Sequence, residues 1–308
     1  MKFIRKFTGL LVSSGKKFAQ DDALKLSASL SYYTIFAMGP LMLIVISLAG
    51  IFYGKEAIQG KIFGQIKGLV GSSAAYQLQS TIANIEKSNH SIGGAIIGFI
   101  ILMIGATGVF TEIQGSINYI WSIKVKPEKG WLKLILNRLL SFTLLAATSF
   151  ILMVALLVNA LLDLMNTKLA SLFPEVAIYL FYGFNIIMIF LVITLLFAII
   201  FRVLPDARVS WKDAFIGAGF TAVLFLLGKL LIGYYLGNAD FGFTYGAAAS
   251  VMILLVWVYY SSVILYFGAA FTKSYAITIG HGIAPNKNAV YIIKTESKEI
   301  PNNDANGS

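Results

Sequence analysis

Apolar runs bounded by charged residues recur along the whole chain. Leu26–Gly54 lies between Lys25 and Lys55, and Ile92–Phe110 follows His90-Ser91. Leu139–Leu162 lies between Arg138 and Asp163, and Val176–Phe201 between Glu175 and Arg202. Ala214–Ala239 is interrupted only by Lys229, and Phe241–Thr272 lies between Asp240 and Lys273. A helix crosses the hydrocarbon core with about 20 apolar residues. A lysine inside such a helix can extend its ammonium toward the headgroups. The pattern therefore predicts an all-α polytopic membrane protein. Its six-helix bundle has spans at about 26–54, 92–110, 139–162, 176–201, 214–239 and 241–272, within a transmembrane domain of 21–276.

Shorter amphipathic patterns flank the spans. Phe3, Phe7, Leu10, Leu11 and Phe18 recur at helical spacing, with Lys2, Arg5, Lys6 and Lys17 mostly elsewhere on the wheel. Residues 1–20 thus read as a basic amphipathic helix lying on anionic lipid, the alternative being an ordinary topogenic charge cluster. Gly9, Ser13 and Ser14 break the apolar stretch, and Lys16-Lys17 follows it, which argues against a signal peptide. In the first outer loop, 55–91, Ile58, Ile62, Ile66, Leu69 and Val70 trace one helical face. Leu78, Ile82 and Ile85 trace another after Gly71-Ser72-Ser73. Residues 277–308 read as a polar cytoplasmic tail with a disordered end at Pro301–Ser308.

Charge orients the bundle. The chain has 308 residues, a net charge of +10 and only 12% charged residues. Its mean hydropathy is +0.80. A soluble domain carries about 25% charge, so a water-facing surface cannot be built from this composition. Eighteen of the 24 Lys/Arg fall in the N-terminal segment, the second and fourth loops and the tail. Lys55, Lys61, Lys67, Lys87 and Lys168 fall on the other face. Positive charge marks the cytoplasmic side, which places both termini there. For a bacterial chain that means a multi-pass inner-membrane protein. The bias also accounts for the basic excess without a nucleic-acid partner.

Candidate chemistry is sparse. With no cysteine and two histidines outside the apolar runs, thiolate catalysis is excluded and a metal site is not expected. Gly9 to Gly15-Lys16 lacks phosphate-loop spacing, and neither HExxH nor GxSxG occurs. No cofactor is expected, and the chain does not read as an enzyme. Helix 1 carries Ser27, Ser29, Ser31, Tyr32, Tyr33 and Thr34 before Gly39-Pro40, whose proline kinks a helix and could open a cavity. Its hydroxyls could equally bond their own backbone. Glu112 and Asn118 close helix 2 before Trp121; Glu112 lies roughly 30 Å along that helix, near the inner interface. Asn159, Asp163, Asn185, Lys229 and Asp240 gather toward the outer side. Lys229 either faces a functional path or snorkels. Arg202 could hold a phosphate or carboxylate, or serve only as a topogenic charge. Helix 6 adds Tyr245, Trp257 and Tyr260, with Trp257 near mid-membrane, where a packed core indole is the simpler reading.

Several of these residues fall into patterns that resemble one family. They are Tyr32-Tyr33-x-x-Phe36-x-x-x-Pro40, Gly108-Val-Phe-x-x-Ile-Gln-x-x-Ile-Asn118-x-x-Trp121, Phe201-Arg-x-Leu-Pro205, and Tyr245-Gly-Ala with Trp257-x-Tyr259-Tyr260. Together they resemble the YihY/BrkB family of bacterial inner-membrane proteins, some of which carry an older ribonuclease BN label. The likeness runs from about Asp21 to Ala276. It implies six transmembrane helices and links to envelope function and to transport of lipid-like or anionic substrates. The ending Phe267-Gly-Ala-Ala270-Phe-Thr-Lys has Ala270 where the family usually carries Glu, so ion coupling through that Glu does not carry over. The ribonuclease label fits poorly, because no acid/base pair or metal-ligand set for RNA hydrolysis is in view.

The leading expectation is a transporter or flippase-like protein for a lipid-like or anionic amphiphile. Its candidate path is Ser31, Tyr33, Pro40, Glu112, Asn118, Asn185, Arg202, Lys229, Asp240, Tyr245, Trp257 and Tyr260. The alternative is a non-transporting scaffold or lipid-binding protein in envelope assembly. Membrane lipids with anionic headgroups are the expected partners, and a homo-oligomer is left open. A groove joining Tyr33, Glu112 and Arg202 would favour transport; paired, packed side chains would favour a scaffold.

Overall fold

The computed structural model describes residues 2–37, 76, 108–126, 174–238 and 249–294. Its helices are α1 (Lys2–Gln20), α2 (23–37), α3 (108–120), α4 (Pro174–Val203), α5 (Trp211–Asn238) and α6 (Ala249–Thr278). The expected spans 92–110 and 139–162, and the second half of 26–54, fall wholly or largely outside the described residues. So do the outer-loop helices, Pro40, Asp240 and Tyr245.

Among the described residues three helices are long and apolar enough to cross a membrane: Gly183–Val203, Trp211–Leu236 and Val251–Thr278. They are the expected fourth, fifth and sixth spans. α4 packs on α5, α5 on α6, and α1 on α6. The α5–α6 approach is close because each helix offers a glycine to a threonine of the other. A Cβ on Gly217 would fall on Thr272, and one on Gly268 would fall on Thr221. Both threonines turn their hydroxyls onto their own helix: Thr221 Oγ1 donates to the Gly217 carbonyl and Thr272 Oγ1 to that of Gly268, each at 2.7 Å. Each hydroxyl, satisfied by its own helix, lies against the glycine of the facing helix, the small-residue packing that lets membrane helices associate.

α1 turns its apolar stripe to this pair. Leu10 is buried. Phe7 meets Phe220 and Phe271, and Phe18 meets Phe267, with ring centroids 5.6–6.4 Å apart. Lys6 and Lys16 remain exposed on the far side. The amphipathic face read from the sequence thus meets the bundle at Phe7, Leu10 and Phe18, and Phe7 stays partly exposed. α1 passes into α2 through Asp22 at φ 49°, a left-handed residue of the kind Asp tolerates.

Two antiparallel strand pairs gather the loops at one end, here called the strand face. β1 (Ile123–Val125) follows α3, and β2 (Ala207–Val209) links α4 to α5. β3 (Ile283–Pro285) and β4 (Ala289–Tyr291) follow α6. β1 pairs with β4 in the register Lys124 to Val290, and β2 with β3 in the register Arg208 to Ala284. The stretch expected as a polar tail is thus ordered to Lys294 as a strap across two loops. It leaves α6 through Gly282 at φ 79°, a conformation that favours glycine. The largest buried cluster lies just above this strap and includes Ile117, Ile120, Trp121, Phe201, Leu204, Tyr266 and Ala270.

Candidate functional site

Polar side chains concentrate in two places, and the first is the strand face. Asp206 follows Pro205 at the end of α4. Its Oδ2 accepts from Gln114 Nε2 at 2.8 Å and Asn118 Nδ2 at 2.9 Å. Its backbone N–H donates back to Asn118 Oδ1 at 2.9 Å, and its carbonyl accepts from Asn286 N. Asn118 therefore grips one residue from two sides. Trp121 Nε1 donates to the Ala269 carbonyl at 2.9 Å. Lys273 Nζ donates to the Ile120 carbonyl at 2.7 Å and to Ser122 Oγ at 3.0 Å, placing a cation where a helix C-terminus favours one. Lys294 pairs with Asp21 and lies over the Tyr119 ring.

At the start of α5, Ser210 caps the helix, its Oγ accepting from Asp213 N at 3.0 Å. Asp213 is 1% exposed and accepts from His281 N at 2.9 Å. His281 Nδ1 lies 3.3–3.4 Å from both Asp213 oxygens and 3.3 Å from Ser210 Oγ. The three residue types suggest a nucleophile, a base and an orienting carboxylate. The geometry rejects that reading. A relay needs serine and carboxylate on opposite ring nitrogens, whereas both face Nδ1 here. The arrangement fixes a ring instead, with Nδ1 inward and the rest of the side chain in solvent.

The second place lies inside the bundle. Tyr266 is 0% exposed. Its hydroxyl faces Ser116 and Glu112 of α3 but completes no hydrogen bond of normal geometry. Ser116 Oγ reaches Glu112 Oε1 only at 3.5 Å. Glu112 is nine residues from Trp121, about 13 Å along α3 from the strand face. Tyr33 packs over Gly108, one turn above Glu112: a Cβ there would stand 3.1 Å from the Tyr33 ring. Thr194 Oγ1 and the Tyr260 hydroxyl are also buried without a hydrogen bond.

The expected path residues divide among these surroundings. Ser31, with Ser27 and Thr34, donates to the carbonyl four residues earlier at 2.7–2.8 Å. Tyr33 and Glu112 lie within a turn of each other along the α2–α3 contact. Asn118 is committed to Asp206. Arg202 sits 5.7 Å over the Trp211 ring, with its Nε buried and without a hydrogen bond. Tyr33, Glu112 and Arg202 thus meet different partners: Gly108, Ser116 and Trp211. Asn185 is exposed on α4, and Lys229 is half-buried on α5. Trp257 is buried against Phe225 and Tyr260, and Tyr260 occupies the space beside Gly228. Ala270 is fully buried within the main cluster.

Sequence reasoning passed over Asp206, Asp213, Lys273, Tyr266 and His281. Only Asp213 carried a local signal, standing three residues after Ser210 in the spacing of a helix cap.

With this geometry in hand, the comparisons are consistent. The model of the Virulence factor BrkB family matches residues 14–290, and the chain belongs to that family. It is 27% identical over 268 residues to a UPF0761 membrane protein of Saccharophagus degradans, covering 85% of this chain and 58% of that one. It is 29% identical to one of Pseudomonas paraeruginosa, covering 82% and 59%, and 27% identical to one of Vibrio vulnificus, covering 80% and 75%. The chain thus spans somewhat under two thirds of the first two relatives. No solved structure matches it. Family and apolar helices together make this a membrane protein.

Proposed function

We propose that this BrkB-family membrane protein moves an anionic, lipid-like substrate across the membrane. In this reading it has six spans, its strand face is cytoplasmic and both termini lie on that side. The observation that carries the reading is the polar set Glu112, Ser116 and Tyr266 among the described helices, with the Tyr266 hydroxyl buried and completing no hydrogen bond. A buried polar group without a partner costs about 1–3 kcal/mol, and an ionisable residue at membrane depth is a functional hypothesis by default. A purely structural bundle gains nothing from such a group. Tyr33, packed one turn away, extends the set toward α2. The basic loops would draw anionic headgroups to the entrance, each Lys/Arg near the surface contributing about 1 kcal/mol.

The test is lipid movement in proteoliposomes that carry the full chain and a fluorescent phosphatidylglycerol. Chemical quenching from outside reads the rate at which label leaves the inner leaflet. Wild type should exceed protein-free liposomes by at least tenfold, and Glu112→Gln and Tyr266→Phe should each lose most of that gain. A wild-type rate equal to that of empty liposomes would sink the reading. A scaffold then leads, favoured by the hydroxyls of Ser27, Ser31 and Thr34, all satisfied within their own helix. Topology is tested separately. The chain has no cysteine, so Lys16→Cys and Lys287→Cys each give a single label site. Both should react only with reagent on the cytoplasmic side.

A further inference from the structure

The strand face holds a cleft of about 520 Å³ that none of the path residues lines. Its walls come from β2, β3, the end of α6 and the Tyr291 ring, with Arg208, Ser210 and His281 as its polar members. No acidic residue lines it. Asp213 lies beneath His281 and is 1% exposed. Its charge is directed at His281, through the backbone N–H at 2.9 Å and Nδ1 at 3.3 Å. A buried carboxylate needs hydrogen-bond donors, and the His281 backbone N–H supplies one. With Nδ1 held inward, Nε2 lies on the opposite, exposed edge of the ring, where the cleft is. Arg208 stands on β2 opposite Ala284, is exposed, and has no carboxylate partner among the described residues. Trp211, exposed at the start of the α5 span, marks the level of the headgroups beside the cleft.

We infer that this cleft binds a phosphate group, with the Arg208 guanidinium forking two of its oxygens and His281 Nε2 donating to a third. The guanidinium fork matches phosphate geometry, and charge-assisted hydrogen bonds of this kind are about twice as strong as neutral ones. Asp213 and Ser210 hold the imidazole in place from behind. The Tyr291 hydroxyl is already committed to the Ile283 carbonyl at 2.6 Å, so its ring serves as a wall. The same chemistry would take the phosphodiester of a lipid headgroup or a free phosphate. The proposal deepens the transport reading by placing the anionic end of the substrate, and rests on it only for the onward path.

The experiment measures binding rather than movement. The full chain in mild detergent is titrated with short-chain phosphatidylglycerol, short-chain diacylglycerol and inorganic phosphate by calorimetry. Native mass spectrometry counts retained phosphatidylglycerol. Wild type should bind phosphatidylglycerol, and Arg208→Ala with His281→Gln should weaken it at least tenfold. Lys124→Ala, an exposed cation on β1 outside the cleft, should change it less than twofold. Unchanged thermal midpoints keep folding out of the comparison. Competition by inorganic phosphate assigns the site to phosphate itself; binding only of the lipid form assigns it to a headgroup. Equal binding of the phosphate-free diacylglycerol, equal losses in Lys124→Ala, or no loss in the double variant would overturn the proposal. Binding without lipid movement leaves this site standing and removes the transport reading. Movement untouched by Arg208→Ala with His281→Gln overturns the placing of the substrate's anionic end in this cleft and leaves the transport reading standing.

Discussion

At the strand face, Asn118 grips Asp206 from both sides and Lys273 closes the end of α3. About two turns deeper, Tyr266 is fully buried and its hydroxyl finds no hydrogen bond. Both regions belong to the same helices, α3 and α6. One spends its polar groups on holding three loops and a strap in register. The other sets the Tyr266 hydroxyl beside Ser116, with the partly buried Glu112 carboxylate on the same helix as Ser116, one turn away. Arg202 Nε and Ser274 Oγ lack hydrogen bonds too, so pairing near the strand face is not complete. The contrast still assigns different work to the two regions. Substitutions at the clasp should act on stability, and substitutions at the deeper set on movement of substrate.

The largest stability effect is expected at the clasp. Asn118→Ala deletes both bonds to Asp206 and leaves a carboxylate with one side-chain donor, Gln114. Hydrogen bonds to charged groups contribute about 1.5–3 kcal/mol, so a loss of about 3 kcal/mol is expected. It would be read as the shift in a denaturant titration in detergent micelles. Asp206→Ala should cost a similar amount, and the double variant far less than the sum, because the two share one interaction. Additive losses would mean that the grip is not the source of the stability.

The helix seam comes next. Gly217→Ala and Gly268→Ala each drive a methyl into a threonine of the facing helix. Overpacking costs about 1–3 kcal/mol, and about 2 kcal/mol is expected for each. Pairing Gly217→Ala with Thr272→Ala removes the hydroxyl and methyl that the added Cβ would meet and should recover part of the loss. No recovery would show that the glycine is needed for its backbone rather than for the contact.

This division was only half visible in the sequence. The apolar runs 176–201, 214–239 and 241–272 found α4, α5 and α6, because composition alone decides which segments the bilayer accepts. The boundaries drifted where a charge has a protein partner. The last run was ended at Lys273, yet α6 continues to Thr278, because the ammonium is taken up by Ile120 and Ser122 across the bundle. The fifth run was begun after Asp213, yet α5 starts at Trp211, because Ser210 caps it and His281 meets the acid. The strands were not legible, being three residues long and without a period to read. Asn118 and Asp206 stand 88 residues apart, so no local pattern could join them. Of the path residues, Tyr33 packs on Gly108, one turn from Glu112, while Asn118 holds the clasp.

A third prediction concerns the ring held under the cleft. Asp213→Asn keeps the shape but removes the charge facing His281 Nδ1. Breaking a buried pair by removing one charge usually costs about 3–5 kcal/mol, but here the histidine side chain is 66% exposed and solvent screens its interaction with Asp213. About 1 kcal/mol of stability is therefore expected, together with weaker phosphatidylglycerol binding as the ring loses its fixed orientation. Stability and binding would be measured on the same preparation. A large stability loss with intact binding would make Asp213 part of the clasp instead.

The smallest stability effect carries the sharpest comparison. Tyr266→Phe removes a buried hydroxyl that completes no hydrogen bond and leaves the ring packed in the core. Deleting an unsatisfied polar group should be neutral, or stabilising by up to about 1 kcal/mol. If the hydroxyl serves only packing, lipid movement will match wild type. If Glu112, Ser116 and Tyr266 act as one polar step on the path, movement will fall by about tenfold while stability holds or rises. A hydroxyl that is dispensable for folding and needed for movement would separate the two regions by their work. A Tyr266→Phe variant that loses stability as Asn118→Ala does would merge them, and the bundle would then be one continuous scaffold from the strap to its middle.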